Sequence, residues 1–107
     1  MSDGPVKATP QEVTEALGRL RDWSQVGDEL RVRYLLPSFP AAVQFTADIA
    51  PVAEQMNHHP EWHVAYQHVS ILTTTHDAGG LSALDFELAA RISELAAAAG
   101  AVRVDGE

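Results

Sequence analysis

The feature that most constrains this chain is the stretch Glu29 to Leu36, where Leu30, Val32, Tyr34 and Leu36 alternate with Arg31 and Arg33. A two-residue period specifies a β-strand with one apolar and one wet face. The apolar face needs a covering layer, whereas the wet face is left to solvent or to a second subunit. Gly27-Asp28 supplies a tight turn ahead of the strand, and Trp23 to Val26 reads as its hairpin partner. Pro37 removes a ladder donor and stops the strand, and Ser38 can cap the helix that follows.

The covering layer is also written in the chain. Thr9-Pro10-Gln11-Glu12 combines a capping hydroxyl, a proline preset for the first helical turn and a carboxylate three residues on, so a helix should run over about residues 10–21, with Val13, Ala16, Leu17 and Leu20 on one stripe. A second helix is expected from about Phe39 to His58, with Phe45, Ile49, Val52 and Met56 on one stripe and a kink or break at Pro51. Trp62 to Gln67 and Val69 to Thr75 are rich in aromatic and β-branched residues and read as two more strands. Ser82-Ala83-Leu84-Asp85 caps a third helix, whose stripe of Leu84, Leu88, Ile92 and Leu95 continues up to Gly100. The order predicts an α+β fold, a four-stranded antiparallel sheet with three helices packed on one face. Residues 1–107 should form a single domain with flexible tails at 1–8 and 102–107, and the open sheet face and edges point to dimerisation.

Composition narrows the function classes. A formal net charge of −8, from 15 acidic and 7 basic residues, cannot gather phosphate backbones, which argues against nonspecific nucleic-acid or anionic-membrane binding. With no cysteine there is no disulfide, thiolate nucleophile or Cys-type zinc site, in keeping with a reducing cytosol. The start of the chain lacks a basic segment followed by an apolar run, and no stretch approaches the roughly 18 apolar residues of a membrane span. A soluble cytoplasmic protein is expected.

All five histidines, His58, His59, His63, His68 and His76, fall in one short segment. Histidine both gives and takes protons near neutrality, so the cluster invites an acid/base site. His58 and His59 close the second helix, and Pro60 biases His59 away from the α region, so the two imidazoles should leave the backbone in different directions. His76 ends the last strand beside Asp77-Ala78-Gly79-Gly80, where scaffolds commonly present working side chains. His63 and His68 lie within strands and are left out of the site, and Trp62 and Tyr66 read as packing aromatics. No His-Glu-x-x-His pair is present, and neighbouring His58 and His59 cannot easily converge on one ion, so no metal site is expected.

The run Ala53-Glu54-Gln55-Met56-Asn57-His58-His59-Pro60-Glu61-Trp62, then Tyr66, then Thr74-Thr75-His76-Asp77-Ala78-Gly79-Gly80-Leu81-Ser82 and Asp85, closely resembles the pterin-4a-carbinolamine dehydratase family. The likeness extends back through Phe45, Phe39, Leu36, Leu30 and Trp23. It implies the same sheet-and-three-helix fold, a homodimer or homotetramer, and loss of water from 4a-hydroxytetrahydropterin to give quinonoid dihydropterin, with no metal or organic cofactor. By resemblance His58 and His76 form the catalytic acid/base pair, while His59, Glu54 and Asp85 bind or support the pterin substrate. The resemblance also implies an alternative, a noncatalytic interaction module of the transcriptional-cofactor kind.

Overall fold

The structure, a computed structural model, describes residues 4–105; the outer ends of the expected tails, 1–3 and 106–107, lie outside it. Helix α1 (Pro10–Arg19) starts at the full capping box of Thr9 and Glu12. Strands β1 (Ser24–Val26) and β2 (Glu29–Leu35) form the expected hairpin about Gly27-Asp28. Helix α2 spans Phe39–Met56, β3 Glu61–Ala65, β4 His68–Thr73 and α3 Ala83–Ala98. The sheet is antiparallel throughout, in the order β1-β2-β4-β3. A fifth short strand, β5 (Val102–Arg103), joins the edge of β2 at Tyr34 and Leu35, beyond the reach of β1. The two segments expected as tails thus carry attachments, the second being the Ala8 amide bonded to the Leu81 carbonyl at 2.7 Å.

The alternation along β2 becomes burial in the fold: Leu30, Val32, Tyr34 and Leu36 are buried, while Arg31 is exposed. The same side of β4 carries Val69, Ile71 and Thr73, and all three helices pack over these rows through Val13, Ala16, Phe45, Ile49, Leu88 and Ile92. Tyr34 and Phe45 meet edge to face at 5.7 Å, a favourable arrangement of ring quadrupoles. No described helix is long and apolar enough to cross a membrane.

Two features of α2 go beyond the expectation. α2 passes through Pro51 without a break. The amide lost at Pro51 deprives only the Ala47 carbonyl, and both residues are exposed, where water can replace the bond. The same helix stops at Met56, short of His58, because Asn57 turns into the left-handed region at φ 52°. The Asn57 amide then bonds the Glu54 carbonyl at 3.1 Å and the His58 amide bonds that of Ala53 at 3.0 Å. This is a Schellman closure, which satisfies the last carbonyls and turns the chain sharply into β3.

Candidate active site

Three chain segments converge at one end of the helix-covered sheet face. The closure of α2 delivers His58 and His59 directly into β3. β3 pairs with β4 so that Glu61 faces Leu72, and β4 runs on from there through Thr73 towards Thr75 and His76. A single 3-10 turn over His76–Ala78, with Gly79 at φ +76° to reverse the chain, is pinched shut by two backbone bonds between Thr75 and Gly80 and leads to the first turn of α3. That turn carries Asp85.

The inward row of β4 begins apolar, with Val69 and Ile71, and ends in the hydroxyl of Thr73, followed just past the strand by that of Thr75, both buried. Buried hydroxyls need partners, and here the partner is one carboxylate. Asp85 is 0% exposed, and four donors surround it. Oδ1 faces His58 Nε2 at 2.7 Å and accepts from the Thr73 hydroxyl at 2.7 Å. Oδ2 accepts from the Thr75 hydroxyl at 2.6 Å and from the Ser82 amide at 2.9 Å. The capping box of α3 and the anchoring of His58 are therefore performed by the same side chain. This enclosed carboxylate stands behind His58, which is 8% exposed.

The two adjacent histidines do point apart. His58 turns into the protein, while His59 turns outward and pairs with Glu54 at 3.0 Å, both side chains lying mostly in solvent. Such an exposed pair contributes little to stability, so its interest lies in orienting the ring. His76 is exposed at the head of the 3-10 turn. His63 and His68 lie on the other face of the sheet, His63 opposite Ser70 on β3 and His68 opposite Leu35 on β4. Tyr66 does not pack as expected: it sits at φ 55° in the β3–β4 turn, 71% exposed, at the far end of the hairpin from His59. Trp62, on the inner row beside Ile71, is 38% exposed.

A trough of about 440 Å³ on the open sheet face, lined among others by Arg31, Arg33, His63 and Ser70, lies away from these groups. Two of its arginines are already engaged, Arg31 by Glu29 and Arg103 by Asp105, and it does not include His58, His59 or His76. Among the described residues no three His, Cys, Asp or Glu side chains are grouped to hold a metal ion.

Thr73 and Thr75 were not foreseen as part of the site. Their β-branching reads as strand propensity, but a period-two row that ends in hydroxyls on the buried side is the signal that a polar partner must lie beneath it.

The model of the Pterin 4 alpha carbinolamine dehydratase family matches residues 6–95. A protein of Roseiflexus castenholzii is 44% identical over 84 residues, covering 78% of this chain and 90% of that protein. One of Sulfurisphaera tokodaii is 42% identical over 89 residues, covering 83% and 96% respectively. Both carry the name pterin-4-alpha-carbinolamine dehydratase only provisionally. Among solved structures, that of a transcriptional coactivator/pterin dehydratase from Brucella melitensis superposes with a TM-score of 0.81 at 33% identity, over 84% of this chain and 98% of that one. With the family model spanning all three segments that build the site, the chain belongs to the pterin 4 alpha carbinolamine dehydratase family.

Proposed function

We propose that the protein dehydrates 4a-hydroxytetrahydropterin, with His58 and His76 exchanging the protons and His59, oriented by Glu54, holding the substrate. The C4a–oxygen bond breaks as the hydroxyl receives a proton and leaves as water, while a ring N–H gives up its proton and the electron pair closes the new double bond. Hydroxide is a poor leaving group near neutrality, so a positioned proton donor and acceptor are what the reaction needs. The observation that carries the reading is the buried His58–Asp85 pair, with His76 exposed at the head of the turn that leads on to Asp85, in a chain whose family is named for this dehydration. The Brucella melitensis protein is called a transcriptional coactivator as well as a dehydratase, which favours an interaction module as second reading; such a module has no use for an imidazole anchored on a fully buried carboxylate.

Stopped-flow dehydration of synthetic 4a-hydroxytetrahydropterin, with the uncatalysed rate subtracted, tests the proposal. His58→Ala and His76→Ala should lower kcat by roughly 10²- to 10⁴-fold, the range of general acid–base catalysis. His59→Ala should mainly raise KM, and His63→Ala and His68→Ala should change neither constant. No acceleration by the wild-type protein, or equal damage from His63→Ala, would overturn it.

A further inference from the structure

The geometry points to Nδ1 as the nitrogen of His58 that exchanges a proton with the ligand, with Asp85 as a positioning residue whose orientation is set by Ser82 and Thr75. A carboxylate only accepts hydrogen bonds. Asp85 Oδ1, 2.7 Å from His58 Nε2, therefore requires the hydrogen on Nε2. The one neighbour that could compete is Thr73, 3.2 Å from the same nitrogen, but its hydroxyl hydrogen goes to Oδ1 at 2.7 Å, which leaves its oxygen facing Nε2 as a second acceptor. Both contacts select the same tautomer. The opposite nitrogen, Nδ1, has no partner among the described residues and is not sealed from solvent. In the neutral ring it carries the lone pair.

The directions behind Asp85 are equally forced. The Ser82 amide cannot rotate and must donate to Oδ2. Thr75 gives its hydrogen to the same oxygen at 2.6 Å, so its own oxygen accepts from the Ser82 hydroxyl at 2.8 Å. The chain of hydrogen bonds thus runs one way, Ser82 to Thr75 to Asp85, and meets His58 and Thr73 donating from the other side. During proton exchange the bond formed or broken is Nδ1–H; Nε2–H stays in place and Asp85 stays a carboxylate throughout.

Substituting Asp85→Asn turns this into a test. The Ser82 amide demands the carbonyl oxygen at the Oδ2 position, which puts the amide NH₂ against His58 Nε2. Nε2 must then accept, and the hydrogen moves to Nδ1. Long-range ¹H–¹⁵N spectra of the labelled, ligand-free protein, with His58 assigned by its loss in His58→Ala, should show a pyridine-type Nδ1 and a pyrrole-type Nε2 in the neutral ring of the wild type. The pattern should be reversed in Asp85→Asn, with kcat lowered 10²-fold or more and KM changed only a few-fold. A pyrrole-type Nδ1 in the wild type, which needs no variant to fold, would overturn the inference. So would an unchanged tautomer in a folded Asp85→Asn protein. The catalytic consequence rests on the dehydration proposed above, but the tautomer does not: correct spectra without turnover would sink the function and leave this assignment standing.

Discussion

Two capping boxes in this molecule use the same local chemistry in opposite surroundings, and the contrast sets the energy scale for single residues. At Thr9 and Glu12 the box is exposed, so water can replace each bond that is lost. At Ser82 and Asp85 it is sealed, and the carboxylate also satisfies Thr73, Thr75 and His58. Thr9→Ala should therefore cost about 1 kcal/mol, the usual value of an N-cap. Asp85→Ala strands two buried hydroxyls, a buried amide and the inward Nε2 of the His58 imidazole, and should cost about 3–5 kcal/mol, the scale of a broken buried polar pair. Urea unfolding of both variants checks this; a cost for Asp85→Ala no larger than that for Thr9→Ala would mean that water reaches the network.

At the scale of elements, the decisive join is the end of α2, because the left-handed Asn57 sends His58 inward and His59 outward. Asparagine tolerates this conformation better than other side chains and glycine better still, whereas a β-branched residue resists it. Asn57→Gly should keep stability and turnover, while Asn57→Val should lower Tm by about 4–8 °C, as expected for a loss of about 1 kcal/mol in a domain of this size, and reduce kcat by disturbing His58. Thermal unfolding with steady-state kinetics on both variants decides it. Starts of elements were the legible part of the sequence, since Thr9, Ser38 and Ser82 each announce a helix by a hydroxyl whose chemistry is local. The end of α2 was less so, because Asn57 in the left-handed region and one more helical turn are both compatible with the residues present. The pairing of Val102–Arg103 with β2 was not legible at all, as two residues carry no periodicity and their place depends on a strand far back in the chain. The candidate histidines stand out by where they lie, at a helix end and a strand end, and their roles come only from the family resemblance, while the hydroxyls behind His58 needed the packing of β4 against α3.

Across the whole molecule, one side chain ties the inner face of the sheet to α3 and to the turn between α1 and β1. Tyr34, buried on β2, donates its hydroxyl hydrogen to Asp22 Oδ2 at 2.7 Å and lies 3.4 Å from Ser93 of α3, which itself accepts from Trp23 Nε1 at 2.9 Å. Burial, reinforced by the charge of Asp22, pushes the phenol well above its ordinary value of 10. The folded protein therefore holds this proton more tightly than the unfolded chain does. The stability that follows is fully present below about pH 10, where the phenol keeps its proton in both states. Above pH 10 the unfolded chain begins to release the proton while the folded protein still retains it, so stability should fall by up to about 1.4 kcal/mol for each further pH unit. Tyr34→Phe removes the titrating group while keeping the ring against Phe45. Unfolding free energies measured in parallel from pH 8 to 11 should show the wild type more stable than Tyr34→Phe at pH 8, by about 1–2 kcal/mol for the lost hydrogen bonds, with that advantage shrinking above pH 10. A difference that stays constant across the range would mean that the phenol titrates alike in both states, and that solvent reaches it between β2, α3 and the Asp22 turn.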